Sequence, residues 1–433
     1  MLAEYFRFQE NKTTFKRETI AGFTTFITMA YIVIVNPAIL AAAGMPVEAS
    51  MAATIYTAFI GSLVMGVYAN KPIAIAPYMG ENAFMAFTVV KVLGFTWQEA
   101  LGAVFLGGIL FVFVTLLKVR GWVANAIPVQ LRASFAVGIG LFLTFIGLNE
   151  IGLVVLGVPG APVKVGNLAD PGVALGILVF ILSGALLMRK VPGALLIGII
   201  AGSAASLIFG LTPLPHAWVS NVPDISPVFL QADISAAFSL RLLPVVLIVF
   251  VMGFVDTIGT LYALATRAEM LDKNGMLPDI EKPLLADAFT TVSAALLGTT
   301  TAGAYVESAT GIESGGRTGF TAVVTGFLFL GALFFHHYFQ SIPGFAYGPS
   351  LVIVGLLMMQ SITQLDFNDL SETLPAFVTM ILMSFTFNIG IGMTAGFVLY
   401  PVFKALNGDI RDVHPGMWVL GILSLLFYLL YPY

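Results

Sequence analysis

The chain has 433 residues, 58% of them hydrophobic and only 10% charged, whereas a soluble domain carries about 25% charged residues. A water-facing surface cannot be assembled from that inventory, and a formal charge of -4 with no basic run offers nothing to a nucleic acid backbone. Without any cysteine, disulfides, iron-sulfur clusters and thiolate metal sites are excluded, and no cofactor is implied.

Apolar stretches of the length a bilayer requires, roughly 20 residues, recur from end to end. Arg7, Lys12, Lys16 and Arg17 precede the first, which runs on without a small-residue cleavage site and is expected to remain as an uncleaved helix. The first set of spans is predicted near 19–36, 49–69, 78–92, 98–117, 127–148, 172–188 and 192–211. A polar, proline-rich connection over 212–239 separates it from a second set near 240–264, 283–298, 302–313, 316–338, 345–362, 372–387 and 389–405. His336 and His337 end one of these runs, where two exposed interfacial side chains are expected. Within the C-terminal part, 406–433, the apolar segment 416–432 is expected to form either an extra span or an interfacial helix. The fold class is therefore an all-α integral membrane protein of about 14 transmembrane helices lying in the lipid bilayer.

Placing the N-terminus in the cytoplasm, with the protein in the cytoplasmic (inner) membrane, puts all but Lys91, Lys164 and Arg241 of the 19 Lys and Arg on the cytoplasmic side. That asymmetry follows the positive-inside rule, and shifting the count by one span would destroy it.

The halves resemble each other weakly: Pro128–Leu148 can be laid over Pro343–Ile362, each opening on proline and placing Val-Gly or Val-x-Gly before a bulky apolar run. An odd number of spans per half forces the repeats into opposite orientations, which transporters use to alternate access. The third span of each half is short and interrupted, NKPIAIAPYMGENAFMAF in one and LGTTTAGAYVESATGIESGG in the other. Pro72 and Pro77 make residues 72–76 extended, with a helix starting only near Gly80, and Thr299-Thr300-Thr301 is expected to be extended too. Spans 3 and 10 thus read as short strands leading into half-helices whose N-termini point into the membrane. Paired interrupted spans are the best sequence pointer to a binding site.

Glu81, Asp256, Asp287 and Glu307 fall inside these spans. A carboxylate at mid-helix costs about 2.5 to 3.5 kcal/mol on insertion scales, so such groups mark function. Glu307 and Asn82 occupy matching points of the two broken spans and are expected to face each other across a cavity, while Asp256 and Thr260 share one helical face. Tyr78, Phe84 and Tyr305 lie near enough to stack on a ring. Asp287 is expected to bond a neighbouring helix, Glu81 to face the interior or the cytoplasmic vestibule, and Glu313 with Arg317 to form an ion pair or anchor. Carboxylates with a carboxamide suit a flat heterocycle, and beside a sulfate-like anion they would cancel the attraction of the helix ends. A buried carboxylate can take up a proton, and Asp256 is the candidate.

At MGENAF (79–84), DTIGTL (256–261) and ESATGIESGGRTG (307–319) the sequence resembles the nucleobase-ascorbate transporter superfamily, and within it the AzgA-like hypoxanthine/guanine/adenine permeases. The resemblance runs from AGFTTFITMAYIVIVNPAIL at 21–40 to the 372–400 region. It implies inverted repeats over 1–211 and 240–405, a core of spans 1–4 and 8–11, and a gate of spans 5–7 and 12–14 past which the core slides like an elevator. It further implies a secondary transporter, not an enzyme, importing a purine nucleobase with protons, and a homodimer formed through the gate. The substrate contacts it carries over are Gly80, Asn82, Asp256, Tyr305 and Glu307. Thr260 stands where uracil carriers have histidine, so coupling is expected to rest on Asp256 or Glu307 around Thr260. PYMGENA in place of the PGMGLNA of many purine permeases leaves the preferred purine open, and Phe387-Asn388-Ile389 departs from the usual pattern as well. A uracil/xanthine or anion carrier on the same fold is the alternative; a channel or enzyme would need a filter repeat, phosphate loop or catalytic grouping that the sequence lacks.

Overall fold

The computed structural model describes residues 2–117, 126–158, 161–214, 217, 219–272 and 277–430; Lys118, Arg120, Lys273 and the end of the 416–432 segment lie outside it. Some helices begin on a side-chain cap and some stop where the backbone turns left-handed. Thr14 caps α1 (Phe15–Met29), accepting from the Arg17 amide at 3.3 Å, and a break at Ala30–Tyr31 separates it from α2 (Ile32–Ala42). These form one segment, longer at both ends than the predicted 19–36. α3 (Val47–Val64) continues in wider turns to Ala69 and is stopped by Asn70 at φ 49°. After β1 (Ile75–Pro77), α4 (Met79–Ala83) runs on in wider turns to Val92. α5 (Trp97–Leu116) starts on a capping box of Thr96 and Glu99, and α6 (Val129–Ile151) runs from Pro128 to Gly152 at φ 80°. An antiparallel hairpin follows, half-buried β2 (Val154–Val158) with exposed β3 (Ala161–Val165), which apolar helical periodicity does not reveal. Asp170 caps α7 (Pro171–Met188), and α8 (Ala194–Ile208) ends the first half.

The second half repeats the pattern. α9 (Leu243–Arg267) and α10 (Glu281–Leu297) lead to β4 (Ala302–Ala304) and the half-helix α11 (Ser308–Glu313). α12 (Gly319–Ala332) and the short α13 (His336–Gln340) precede α14 (Gly344–Met359), α15 (Leu370–Phe385), α16 (Ile389–Asn407) and α17 (Pro415–Leu430). Among the described residues nine helical segments are long and apolar enough to cross a membrane, and α8, α15 and α17 are shorter apolar helices. With α10 and the two strand-and-half-helix segments they reproduce the expected order of spans, α17 following as an addition that packs on α16 and α9. Ile208, Phe327, Leu356 and Phe385 remain exposed, as side chains in a lipid-facing belt do.

Two groups of helices pack within themselves. α1, α2, α3, α5, α9, α10, α11 and α12 surround β1 and β4, and α6, α7, α8, α14, α15 and α16 form the other body. The second is built on the seam between α6 and α14, where small residues let backbones meet. A Cβ added at Gly140 would lie 2.6 Å from the Gly355 carbonyl oxygen, and one at Gly147 2.6 Å from that of Gly348. Pro128 and Pro343, overlaid from sequence, do begin these two facing helices.

Two sequence expectations are corrected. His336 is buried, with Nε2 3.2 Å from Glu48 Oε1 and Nδ1 3.0 Å from Ser220 Oγ, because these partners replace water. Glu313 and Arg317 are not a pair: Glu313 meets Arg267 at 2.8 Å, while the Arg317 guanidinium donates to the carbonyls of Ile312 and Gly316.

Candidate functional site

The interrupted spans cross as a two-stranded antiparallel ribbon, with Ile75 opposite Ala304, Ala76 opposite Gly303 and Pro77 opposite Ala302. Flanking bonds extend it, the Tyr78 amide donating to Thr301 O (2.9 Å) and the Tyr305 amide to Ala74 O (3.0 Å). Non-helical backbone within a membrane protein needs every polar group paired. Here two hydroxyls from neighbouring helices clip the outer edges. Ser62 Oγ from α3 accepts from the Ile75 amide (3.0 Å) and donates to its carbonyl (3.2 Å); Thr291 Oγ1 from α10 does the same for Ala302 (3.3 and 2.8 Å). α3 and α10 are the second helical spans of their halves, so the two clips are related by the repeat. Sequence reading missed both, since a hydroxyl in an apolar helix carries no pattern of its own.

Two cavities adjoin the ribbon. The smaller, about 110 Å³, is walled by Tyr31, Tyr78, Met79, Gly80, Asp256, Thr260, Ala304, Tyr305, Val306, Glu307, Val354 and Met358. The larger, about 410 Å³, shares Asp256, Thr260, Val306 and Met358 with it and adds residues that include Glu81, Arg132, Ile139, Ser361 and Gln364. Both lie between the two helical bodies, and Gly80 touches the facing one: an added Cβ there would sit 2.6 Å from Ile139 Cγ2.

The polar groups are held from behind. Tyr31, at the break between α1 and α2, donates its hydroxyl to Glu307 Oε1 at 2.6 Å. Tyr305 donates to the Pro77 carbonyl at 2.5 Å. The Tyr78 and Tyr305 rings are nearly parallel, 10° apart in plane with centroids 6.4 Å apart. Thr257 donates to Asp287, so its 3.1 Å bond with Tyr78 is donated by the tyrosine. Asp287 lines neither cavity and serves this chain of hydroxyls, as the sequence suggested. No described residue hydrogen-bonds the side chain of Asp256 or Thr260, and both face the two cavities.

Six of the sequence candidates, Tyr78, Gly80, Asp256, Thr260, Tyr305 and Glu307, therefore meet around the smaller cavity. Asn82 does not face Glu307. It is fully buried and donates to Asn36 Oδ1, while Asn36 Nδ2 donates to Thr54 (2.7 Å) and Thr299 (3.0 Å). The reason is helical phase: two residues beyond Gly80, Asn82 is turned toward α2 rather than the cavity. Phe84 likewise is buried and lines neither cavity. Tyr31 and Asn36 were missed because nothing marks them within the apolar run. Among the described residues no group of His, Asp or Glu is arranged to hold a metal.

Residues 16–398 match the model of the permease family, Xan_ur_permease. A permease-family protein of Methanocaldococcus jannaschii is 46% identical, covering 99% of this chain and 98% of that one. Adenine permease AdeP of Escherichia coli is 39% identical over 98% of this chain and 95% of its own length; guanine/hypoxanthine permease PbuG of Bacillus subtilis is 39% identical over 98% and 99%. In fold the chain is similar to the transmembrane domain of the cyanobacterial bicarbonate transporter BicA (TM-score 0.65, 16% identity, 88% of this chain and 97% of that one). It is also similar to SLC26A9 (TM-score 0.68, 10% identity, 92% and 67%).

Proposed function

The chain belongs to the nucleobase-ascorbate transporter family, a family of membrane permeases, and from that premise we propose that it imports purine nucleobases, hypoxanthine, guanine or adenine, across the cytoplasmic membrane. The observation that carries this reading is the near-full-length similarity to permeases named for adenine and for guanine/hypoxanthine. The smaller cavity fits it chemically. A flat base enters beside the Tyr78 and Tyr305 rings, Glu307 accepts from its N–H edge while Tyr31 fixes the carboxylate, and Asp256 supplies a second acceptor. Gly80 lets the substrate and Ile139 approach the backbone. Asn82, bonded to Asn36, acts by fixing α4 rather than by touching the base.

In this reading the transport is proton symport. Asp256, lining both cavities with no hydrogen-bond partner among the described residues, carries the proton, with Glu307 as the substrate-linked acid and Thr260 beside them. The repeats 1–211 and 240–405 supply a core (spans 1–4 and 8–11) that moves past a gate (spans 5–7 and 12–14) by an elevator mechanism. Two gates pair in a homodimer, and with a cytoplasmic N-terminus the larger cavity opens inward, toward Pro128 and Gln364.

The fold it shares with a bicarbonate transporter raises a second reading, an anion carrier. Carboxylates at Asp256 and Glu307 oppose it, since a buried anion beside them would be repelled. Uptake of hypoxanthine, adenine, guanine, xanthine, uracil and bicarbonate into proteoliposomes separates the two. Saturable purine uptake is expected, and bicarbonate uptake without purine competition would favour the anion reading.

A further inference from the structure

The larger cavity contains a carboxyl group and a guanidinium that the proposed substrate contacts leave unused. Glu81 on α4 is 2% exposed, and Arg132 lies in the first turn of α6; both line this cavity and neither lines the smaller one. No hydrogen bond or ion pair ties either side chain to another described residue, nor do the two meet within ion-pair distance. Arg132 Nε is moreover buried without a partner.

Buried polar groups are normally hydrogen-bonded, and charged ones that are not carry a large penalty. A carboxyl oxygen accepts and a guanidinium donates. Facing one cavity without reaching each other, the two leave a gap that one ligand can bridge, its N–H donating to Glu81 and its carbonyl oxygen or ring nitrogen accepting from Arg132. Neutral planar heterocycles with a lactam or amidine edge have that pairing of donor and acceptor. At about 410 Å³ this cavity is roomier than the inner one of about 110 Å³. Asp256 and Thr260 belong to both walls, so a molecule can pass between the two compartments without leaving the protein.

We propose that the larger cavity is a second, vestibular binding site, in which the transported heterocycle is held between Glu81 and Arg132 on its way to or from the inner pocket. This rests on the purine reading above and adds to it a site and two binding residues. The vestibular site is weaker than the inner one, because it is wider and offers no pair of stacked tyrosines.

Equilibrium binding of radiolabelled hypoxanthine to the purified full chain in nanodiscs tests it. The wild type is expected to bind two equivalents per chain. Glu307→Gln should weaken the tight equivalent by about tenfold or more and leave the other in place. Adding Glu81→Gln and Arg132→Gln to Glu307→Gln should remove that remaining equivalent, while Arg132→Lys should retain part of it. Thermal unfolding of each variant in the same nanodiscs identifies those that are folded, and only these are compared. A wild type that transports purines yet binds one equivalent, or a second equivalent untouched by the Glu81 and Arg132 changes, would overturn the vestibular site alone. A wild type that neither binds nor transports any purine would overturn the reading on which it stands.

Discussion

Tyr31 and Glu307 meet from opposite halves of the chain at 2.6 Å, and this bond fixes the carboxylate that faces the smaller cavity. Tyr31→Phe should keep the fold and raise the KM for purine uptake by about tenfold, since a hydrogen bond to a charged group contributes about 1.5 to 3 kcal/mol; an unchanged KM would remove Tyr31 from the site. Ser62 and Thr291 work through structure instead. Replacing either by alanine strands a buried amide and carbonyl and should lower stability by about 1 to 3 kcal/mol, read as a drop in the detergent melting temperature. Of the residues around the cavity, Glu307, Asp256 and Tyr305 were legible in the sequence because an acid or an interrupted helix in an apolar run costs free energy and stands out. Tyr31, Asn36 and the two hydroxyl clips were not, because their partners lie far along the chain and each alone looks like ordinary helix. Asn82 was placed in the right segment but on the wrong side, because the helical phase that turns Gly80 to the cavity turns Asn82 to Asn36.

At the scale of elements, the prolines at 72 and 77 and the glycine and threonines at 298–301 were enough to predict where helices stop. They did not say that the two extended segments would pair with each other, which depends on the halves being brought together. Gly303 shows what the pairing demands, since a Cβ there would run into the Tyr78 ring. Gly303→Val should therefore displace that ring and abolish uptake while the helices remain, an outcome checked by unchanged far-UV circular dichroism. The α6–α14 seam is a second place where backbone meets backbone. Gly140→Leu must push against the Gly355 carbonyl, which cannot rotate away as a side chain would, and a loss of about 1 to 3 kcal/mol or more is expected from overpacking. The hairpin β2–β3 carries no apolar helical signal, its two five-residue strands being too short to cross a membrane, β3 exposed throughout and β2 half-buried.

For the whole molecule, order and number of spans were readable because lipid imposes length and apolarity on each. The partition into two helical bodies was not readable from the residues, which share one composition throughout; it emerges from which helices touch. Orientation is open to direct test because the chain has no cysteine. Single cysteines at Lys12 and Lys164 should report opposite sides, with Lys164→Cys labelled by an impermeant maleimide in intact cells and Lys12→Cys only after permeabilisation; the reverse pattern would invert the proposed topology.

The most direct test of the central claim is hypoxanthine uptake into proteoliposomes with an imposed inward proton gradient, comparing the wild type with Glu307→Gln. The account predicts saturable uptake that collapses when an uncoupler dissipates the gradient and that is lost in the variant. Uptake that survives both the uncoupler and Glu307→Gln would contradict it.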